Sequence, residues 1–405
     1  MLSTSVAAAC PYGVSAGVPL DPCADYLHLK DQEPVRKDDI LGVWIVTGSD
    51  EVTSLLRHPG LSSAWPDNGR TRLHDTAGAP EKRRTDDIVR RWFMFNDGER
   101  HRTLRRLMVP LFTSERLRAL RPLVAEQVAG LLAEADDRIE VMTELAIPLS
   151  SNVVCGILGL APEVAPKLDG WARDIAALLI ADYLPHVADR GHAALAEMCE
   201  AVAAALSAPG LAPASGLALL HRAHSAGTID EADISATAAL LVYAGFETTS
   251  TFVGKAIRAA LHTGGWRSIG TAGSAAVEEL LRFDTSVQQV ARVATQDLEV
   301  AGRRIAEGDL VLLMLGVANR DPNVFEHPDH LDTGRPTRRH LTFGYGAHYC
   351  LGAGLARLEA QTVLEQLTAK WPSARLLEPV VTRSHHGITV LESVVIGPER
   401  QGEAR

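Results

Sequence analysis

The sequence predicts a mainly α protein with a minor β portion, and three observations carry that prediction. Apolar residues recur three and four positions apart over 90–206, 229–262 and 351–367, the period of a helix with one buried face. Alternation of the β kind is confined to 43–47, 287–315 and the C-terminal tail. The 405 residues are 46% hydrophobic and 22% charged, a globular balance in a chain long enough to bury a sizeable core and an internal pocket.

Taken in order, a short strand at 43–47 precedes a helix-like 50–57. The mostly helical pattern then runs from 90 to 206 and ends in a Pro/Gly/Ala loop, 207–216. The longest helix follows over 229–262, where Thr228 and Glu231 fit a capping box. Gly-rich 264–274 reads as a connection, and 275–283 is helical again. The strands of 287–315 turn at Ala301-Gly302 and Glu307-Gly308. A stretch without strong period, 320–346, has the length of a functional loop. The last strong helix, 351–367, leads into a β-rich tail. One domain over 1–405 is expected, with 1–20 as a short mobile tail.

The net charge of −10 argues against a nucleic-acid partner. No run of 18 or more apolar residues is read, so no membrane span is expected. Residues 6–10 lack the length and basic flank of a signal peptide, which leaves a cytoplasmic protein as the expectation. Five cysteines, Cys10, Cys23, Cys155, Cys199 and Cys350, are widely spaced with no CxxC pair. A disulfide framework or a zinc site is therefore not expected. Cys155 and Cys199 fit helix packing; only Cys350 sits where chemistry is called for.

Its setting is Phe343-Gly344-Tyr345-Gly346-Ala347-His348-Tyr349-Cys350-Leu351-Gly352. Glycines allow positive φ and a close backbone approach to a flat ligand. A helix N-terminus just beyond the cysteine favours thiolate over thiol, the form that ligates iron. The long helix carries Ala244-Gly245-Phe246-Glu247-Thr248-Thr249. Gly and two Thr there go against helix propensity. Thr hydroxyls can bond the carbonyl four residues back, and a carboxylate beside a hydroxyl can relay protons. Glu279 and Arg282 are spaced to meet on one helix face, and His101 and Arg105 to share an anion. Taken singly, each has a bland counterpart: a turn, a packed helix, a surface ion pair, a solvated basic face.

Taken together they resemble the cytochrome P-450 superfamily. The cysteine segment matches F-G-x-G-x-H-x-C-x-G at every fixed position, and 244–248 matches A-G-x-[DE]-T. E-x-x-R and H-x-x-x-R occur in the family's order, and the resemblance spans about 44–390. It implies the P-450 fold, a triangular helix-rich body with small β-sheets, and a haem-thiolate monooxygenase of the soluble bacterial kind. The cofactor implied is haem b (iron protoporphyrin IX), with Cys350 as axial ligand and Phe343 near its sulfur. Gly344 and Gly352 would shape the loop, and Ala244 would line the haem. His101, Arg105, Arg292 and His348 would reach the propionates. Thr248 and Glu247 would activate oxygen and deliver protons, while Glu279, Arg282 and Arg335 would be structural.

The implied reaction is hydroxylation or epoxidation of a small molecule, free or carrier-bound, in secondary metabolism. Electrons would come from a separate ferredoxin and ferredoxin reductase, for which Arg102 and Arg106, with Arg357, are contact candidates. Substrate contacts would fall in 70–95, 174–194, at Ala244, and in 287–290 and 386–389. Two other readings stay open: a haem-thiolate enzyme of oxidative coupling or peroxide-driven oxidation, and a non-enzymatic haem sensor. Three features depart from the family pattern. The 262–274 connection looks short, so a small helix is expected to be missing. Phe246 stands where many relatives have His. The stretch 70–91 is basic, with Lys82, Arg83, Arg84, Arg90 and Arg91, suiting either an anionic substrate or a solvated loop.

Overall fold

A computed structural model of the chain describes residues 29, 33–39, 42–64, 80–181, 184–336, 339–385 and 388–399. The tail 1–20, residues 70–79 and His386 lie outside the described residues, as do the side chains at 82–84. The chain divides into two compact units: Met1–Leu61, Ala125–Ala146 and Thr249–Arg405 form one, and Ser62–Val124 with Ile147–Thr248 the other.

The first unit holds the strands. Five of them lie in the order Val35–Asp38, Val43–Val46, Leu310–Leu313, Val290–Ala294, Leu61–Ser62. The centre of the sheet pairs in parallel, Trp44 opposite Val311, and Val290–Ala294 joins it antiparallel, Val290 opposite Leu313. Val46, Val52, Leu55, Val311, Leu313 and Leu315 bury their side chains in one core, and Leu341 joins them from the irregular 320–346 stretch. Full burial of such a side chain stabilises by roughly 1.5–3 kcal/mol, so Leu341 pins the chain two residues before Phe343. The expected turns are present: Ala301 and Gly302 both have positive φ in the hairpin Leu298–Val300/Arg303–Ile305, and Gly308 has φ +86°. A three-stranded sheet, Ile139–Glu140, Val395–Pro398, Ala374–Leu376, gathers the tail.

One expectation for this unit is overturned. The 264–274 connection contains a helix, Trp266–Ala272. Its glycines mask the periodicity, and docking supplies what propensity lacks. Trp266 and Ile269 are buried, the Trp266 indole donates to the Trp371 carbonyl at 2.8 Å, and Gly270 lies against Thr368 of helix Ala353–Lys370.

The second unit is helical: Pro80–Arg90, Gly98–Met108, Ile147–Leu158, Leu168–Ala181, Pro185–Ser207, Gly216–Ser225 and the first part of Glu231–His262. Gly216–Ser225, unforeseen as a separate helix, is capped by Ser215, whose hydroxyl accepts the Ala218 N–H. The capping box of the long helix is formed not by Thr228 and Glu231 but by Asp230 and Asp233. Asp233 N–H donates to Asp230 Oδ1 at 2.9 Å, and Asp230 N–H to Asp233 Oδ2 at 3.3 Å. Thr228 is occupied in closing the preceding helix, its N–H on the Ala223 carbonyl at 2.9 Å. Among the described residues one stretch, Val141–Leu158, is long and apolar enough on average to pass for a span, although Thr143, Glu144 and Asn152 keep it from being an unbroken apolar run. Its mean hydropathy is 1.5 and 67% of it is buried in the protein, as in a core helix.

Candidate active site

In the first unit the cysteine loop is closed by its own backbone. Cys350 N–H donates to the Phe343 carbonyl at 2.9 Å, and Gly344 N–H to Leu341 at 2.8 Å. Gly344 and Gly346 take φ +68° and +77°, a region that costs any other residue strain. Gly346 is needed twice over, because a Cβ there would come within 3.2 Å of the Arg57 side chain. A Cβ on Gly344 would meet nothing nearer than the His348 carbonyl at 3.9 Å, so the space beside that backbone is open. Gly352 sits at the N-cap of helix Ala353–Lys370 with φ −84°, an ordinary value. Its presence therefore does not come from the left-handed freedom the sequence reading invoked. The Cys350 thiol is exposed, whereas Cys155 and Cys199 are buried; burial pushes the Cys155 thiol up to about 11.

Two charged groups hold this loop's surroundings. Glu279 accepts Arg282 Nε at 2.8 Å and Nη2 at 2.7 Å, with both side chains fully buried. Arg335 reaches the same carboxylate at 3.3 Å and Asp332 N–H at 2.9 Å. Arg282 also donates to the carbonyls of Asn319, Pro328 and His330, so the irregular stretch wraps around the pair. The second group, which sequence reasoning missed, centres on Glu278. It accepts His340 Nε2 at 3.0 Å and Arg357 Nε and Nη2 at 2.5 and 3.0 Å. Burial opposes ionisation of Glu278, but these donors outweigh it and hold the carboxyl at about 2. Nothing in the spacing of 278, 340 and 357 announces this group. Arg357 is thus a paired, half-buried cation and not the surface charge expected for a partner. Arg292 is buried on strand Val290–Ala294, with Nη1 donating to the Ala291 carbonyl at 2.7 Å.

The second unit presents the long helix. Between Asp233 and Ala260 only Ala244 is exposed, with Leu241, Tyr243, Gly245 and Thr248 among those partly so. Thr248 Oγ1 donates to the Ala244 carbonyl at 2.9 Å, the back-bond its position foretold. Gly245 answers to packing, since a Cβ there would press Val154 at 3.2 Å. Phe246 and Glu247 are buried. Burial raises the pKa of the Tyr243 hydroxyl, and the Glu247 charge adds to the shift; the Tyr243 ring stacks on Trp92 with centroids 5.2 Å apart. On helix Gly98–Met108, His101 is buried and Arg105 half-buried, one turn apart, while Arg102 and Arg106 are exposed on another side. Asp233 ties down this region, taking Arg91 at 3.1 Å and also Arg100.

Comparison with known proteins decides what these features belong to. A family model, Cytochrome P450, matches residues 274–370. Pentalenic acid synthase of Streptomyces avermitilis is 34% identical over 388 residues, covering 93% of each chain. Cytochrome P450-SOY of Streptomyces griseus is 32% identical over 389 residues, 93% of this chain and 91% of that one. The chain belongs to the cytochrome P450 family. Among solved structures, P450BioI in complex with an acyl carrier protein ligated to hexadec-9Z-enoic acid matches with a TM-score of 0.83 at 28% identity, over 93% of this chain and 98% of that one.

The fold is accordingly the P450 fold, the activity that of a P450 monooxygenase, and the cofactor haem b. The donor set suits such a group. An exposed thiol stands beside open, glycine-lined backbone, which a flat macrocycle can approach. The second unit's long helix carries small side chains at Ala244 and Thr248, one turn apart.

Proposed function

We propose that this P450 inserts one oxygen atom of dioxygen into a small organic substrate, by hydroxylation or epoxidation, and that Cys350 is the residue whose sulfur would hold the haem iron. The observation that carries the reading is the exposed Cys350 thiol on a loop shaped by two left-handed glycines, immediately ahead of helix Ala353–Lys370. Bound haem supplies the dioxygen chemistry, and a thiolate ligand favours O–O cleavage.

The side chains do the rest. Thr248 holds a hydroxyl on the partly exposed strip of the long helix, and Glu247 next to it is the carboxylate that passes protons toward it. His101, Arg105, Arg292 and His348 hold the propionates by charge-assisted hydrogen bonds. Phe343 packs near the sulfur, Gly344 and Gly352 shape the loop, and Ala244 lines the haem. Glu279, Arg282 and Arg335 are structural, because their bonds are spent on one another and on backbone. We read the two units as one catalytic domain, since the relatives align over both.

The relatives' names favour tailoring of a secondary metabolite as the biological task, and the carrier-protein complex of P450BioI keeps a carrier-tethered substrate within the proposal. Electrons come from a separate ferredoxin and its reductase, which meet the exposed Arg102 and Arg106. We place the protein in the cytoplasm. The Glu247–Thr248 pair favours dioxygen over peroxide as oxidant, because a peroxide user has less need of a proton relay.

The test is the absorption of the haem-loaded protein, reduced under carbon monoxide. A strongly red-shifted, thiolate-type band that disappears in Cys350→Ala is expected. A wild-type protein without it, or a variant that keeps it, overturns the reading.

A further inference from the structure

Arg357 spends its charge close to the cysteine loop. Two of its nitrogens hold Glu278, and a third lies 3.3 Å from the Ala353 carbonyl and 3.4 Å from the Tyr349 hydroxyl. That leaves the flat face of the guanidinium, which lies over the Phe343 ring with 4.5 Å from its carbon to the ring centroid. His340, the other donor to Glu278, flanks the same ring at 6.1 Å, and Tyr349 meets it edge-on at 6.3 Å. Phe343 in turn accepts the Cys350 N–H. An unbroken series of contacts thus runs from helix Ser274–Phe283 through Glu278, Arg357 and Phe343 to the backbone of Cys350.

We propose that Arg357, clamped by Glu278, is a positioning residue for the cysteine loop and acts on Cys350 through the Phe343 ring. A planar cation fixed at two points presents one face in one orientation, which a flexible ammonium cannot do. The aromatic ring between cation and cysteine cannot shift sideways without leaving the guanidinium, Tyr349 or His340. The Phe343 carbonyl therefore holds the Cys350 amide, and with it the backbone from which the Cα–Cβ bond projects. The inference rests on the reading of Cys350 as the iron ligand.

A charge-only role and a positioning role separate cleanly. Arg357→Gln removes a positive charge and Glu278→Gln a negative one, so through charge alone they move the haem reduction potential in opposite senses. Through position they act alike, both loosening thiolate ligation, and Arg357→Lys joins them although it keeps the charge. The measurement is the reduced carbon monoxide spectrum of the haem-loaded protein, with its reduction potential and unfolding midpoint on the same samples. In all three variants the ratio of non-thiolate to thiolate-type complex should rise about fivefold, toward the lower end for residues in contact. In a Phe343→Leu background Arg357→Gln should add less than about twofold, because the ring through which it acts is gone. If Arg357→Gln fails to fold, Arg357→Lys decides alone. Wild-type spectra in Arg357→Lys and Glu278→Gln, or additive effects of Arg357→Gln and Phe343→Leu, overturn the proposal while leaving Cys350 as ligand. A wild-type protein lacking the thiolate-type band overturns both.

Discussion

Replacing Glu279 with Ala tests whether the buried pair with Arg282 holds the irregular stretch in place. The carboxylate takes two bonds from Arg282, one from Asp332 N–H and one from Arg335, and neither it nor Arg282 has any exposed side-chain surface. Its removal leaves Arg282 as a buried cation facing three carbonyl dipoles, and water cannot reach it. Breaking a buried pair from one side costs about 3–5 kcal/mol, and the orphaned Asp332 N–H about 1–3 kcal/mol more in isolation. The two costs overlap, so about 4 kcal/mol is expected, against a whole stability of roughly 5–15 kcal/mol. Urea unfolding of the haem-loaded protein should show a lower midpoint at an unchanged slope. Glu99 and Arg102 make a pair of the same i, i+3 spacing with both side chains exposed. Glu99→Gln should leave the midpoint where it is, since exposed pairs are screened. A loss below about 1 kcal/mol in Glu279→Ala would show that Arg282 finds water, and the argument from burial would fall.

Three further outcomes follow. Hydrogen bonds from His340 and Arg357, against the cost of burial, hold Glu278 at about 2 where its ordinary value is 4.5. A depressed folded-state pKa stabilises fully above the unfolded value and is lost as pH falls from about 4.5 to 2, up to roughly 3 kcal/mol here. Glu278→Gln should therefore approach the wild type in stability across that window, and parallel acid-unfolding curves would contradict the pairing. Thr248→Val keeps the shape and removes the hydroxyl; product formed per dioxygen consumed should drop about tenfold or more with substrate affinity unchanged, hydrogen peroxide accounting for the difference. Reversing charge at Arg102 and Arg106 should slow reduction by ferredoxin and flatten its salt dependence; unchanged rates would remove that docking face.

Much of the fold is legible because long helices and buried strands repeat their signal. The long helix, the hairpin turns at Ala301-Gly302 and Gly308, and the helix after Cys350 all rest on periodicity or on glycine at a positive φ. The failures have physical causes. Trp266–Ala272 exists because two tryptophans and a close Gly270–Thr368 contact hold it, and tertiary docking leaves no mark in a local window. The capping box slid from Thr228 to Asp230 because Thr228 had a prior bond to the helix behind it, a competition the pattern does not encode. The cysteine loop was readable since its glycines must stand at fixed offsets. Gly352 shows the limit, because its ordinary φ leaves its place in the pattern unexplained by backbone freedom.

Arginine was the residue type that sequence reading placed least well. Arg102, Arg106 and Arg357 look equivalent as letters, yet two are exposed and one is locked between Glu278 and Phe343. Arg91, which reads as part of the basic stretch 70–91, is spent on Asp230 and Asp233 at the start of the long helix, and Arg100 is spent on Asp233 as well. A guanidinium in water is a charge that a partner can use, whereas a buried and paired one is a strut whose removal leaves its partner stranded. The distinction is set by which carboxylate arrives from elsewhere in the chain, at separations such as the 79 residues between Glu278 and Arg357. Basic surface on this enzyme is therefore to be assigned by burial as well as by pairing: Arg102 keeps its guanidinium in water although it meets Glu99, and Arg106 is exposed, while the cysteine helix Ala353–Lys370 gives its arginine to the loop it follows.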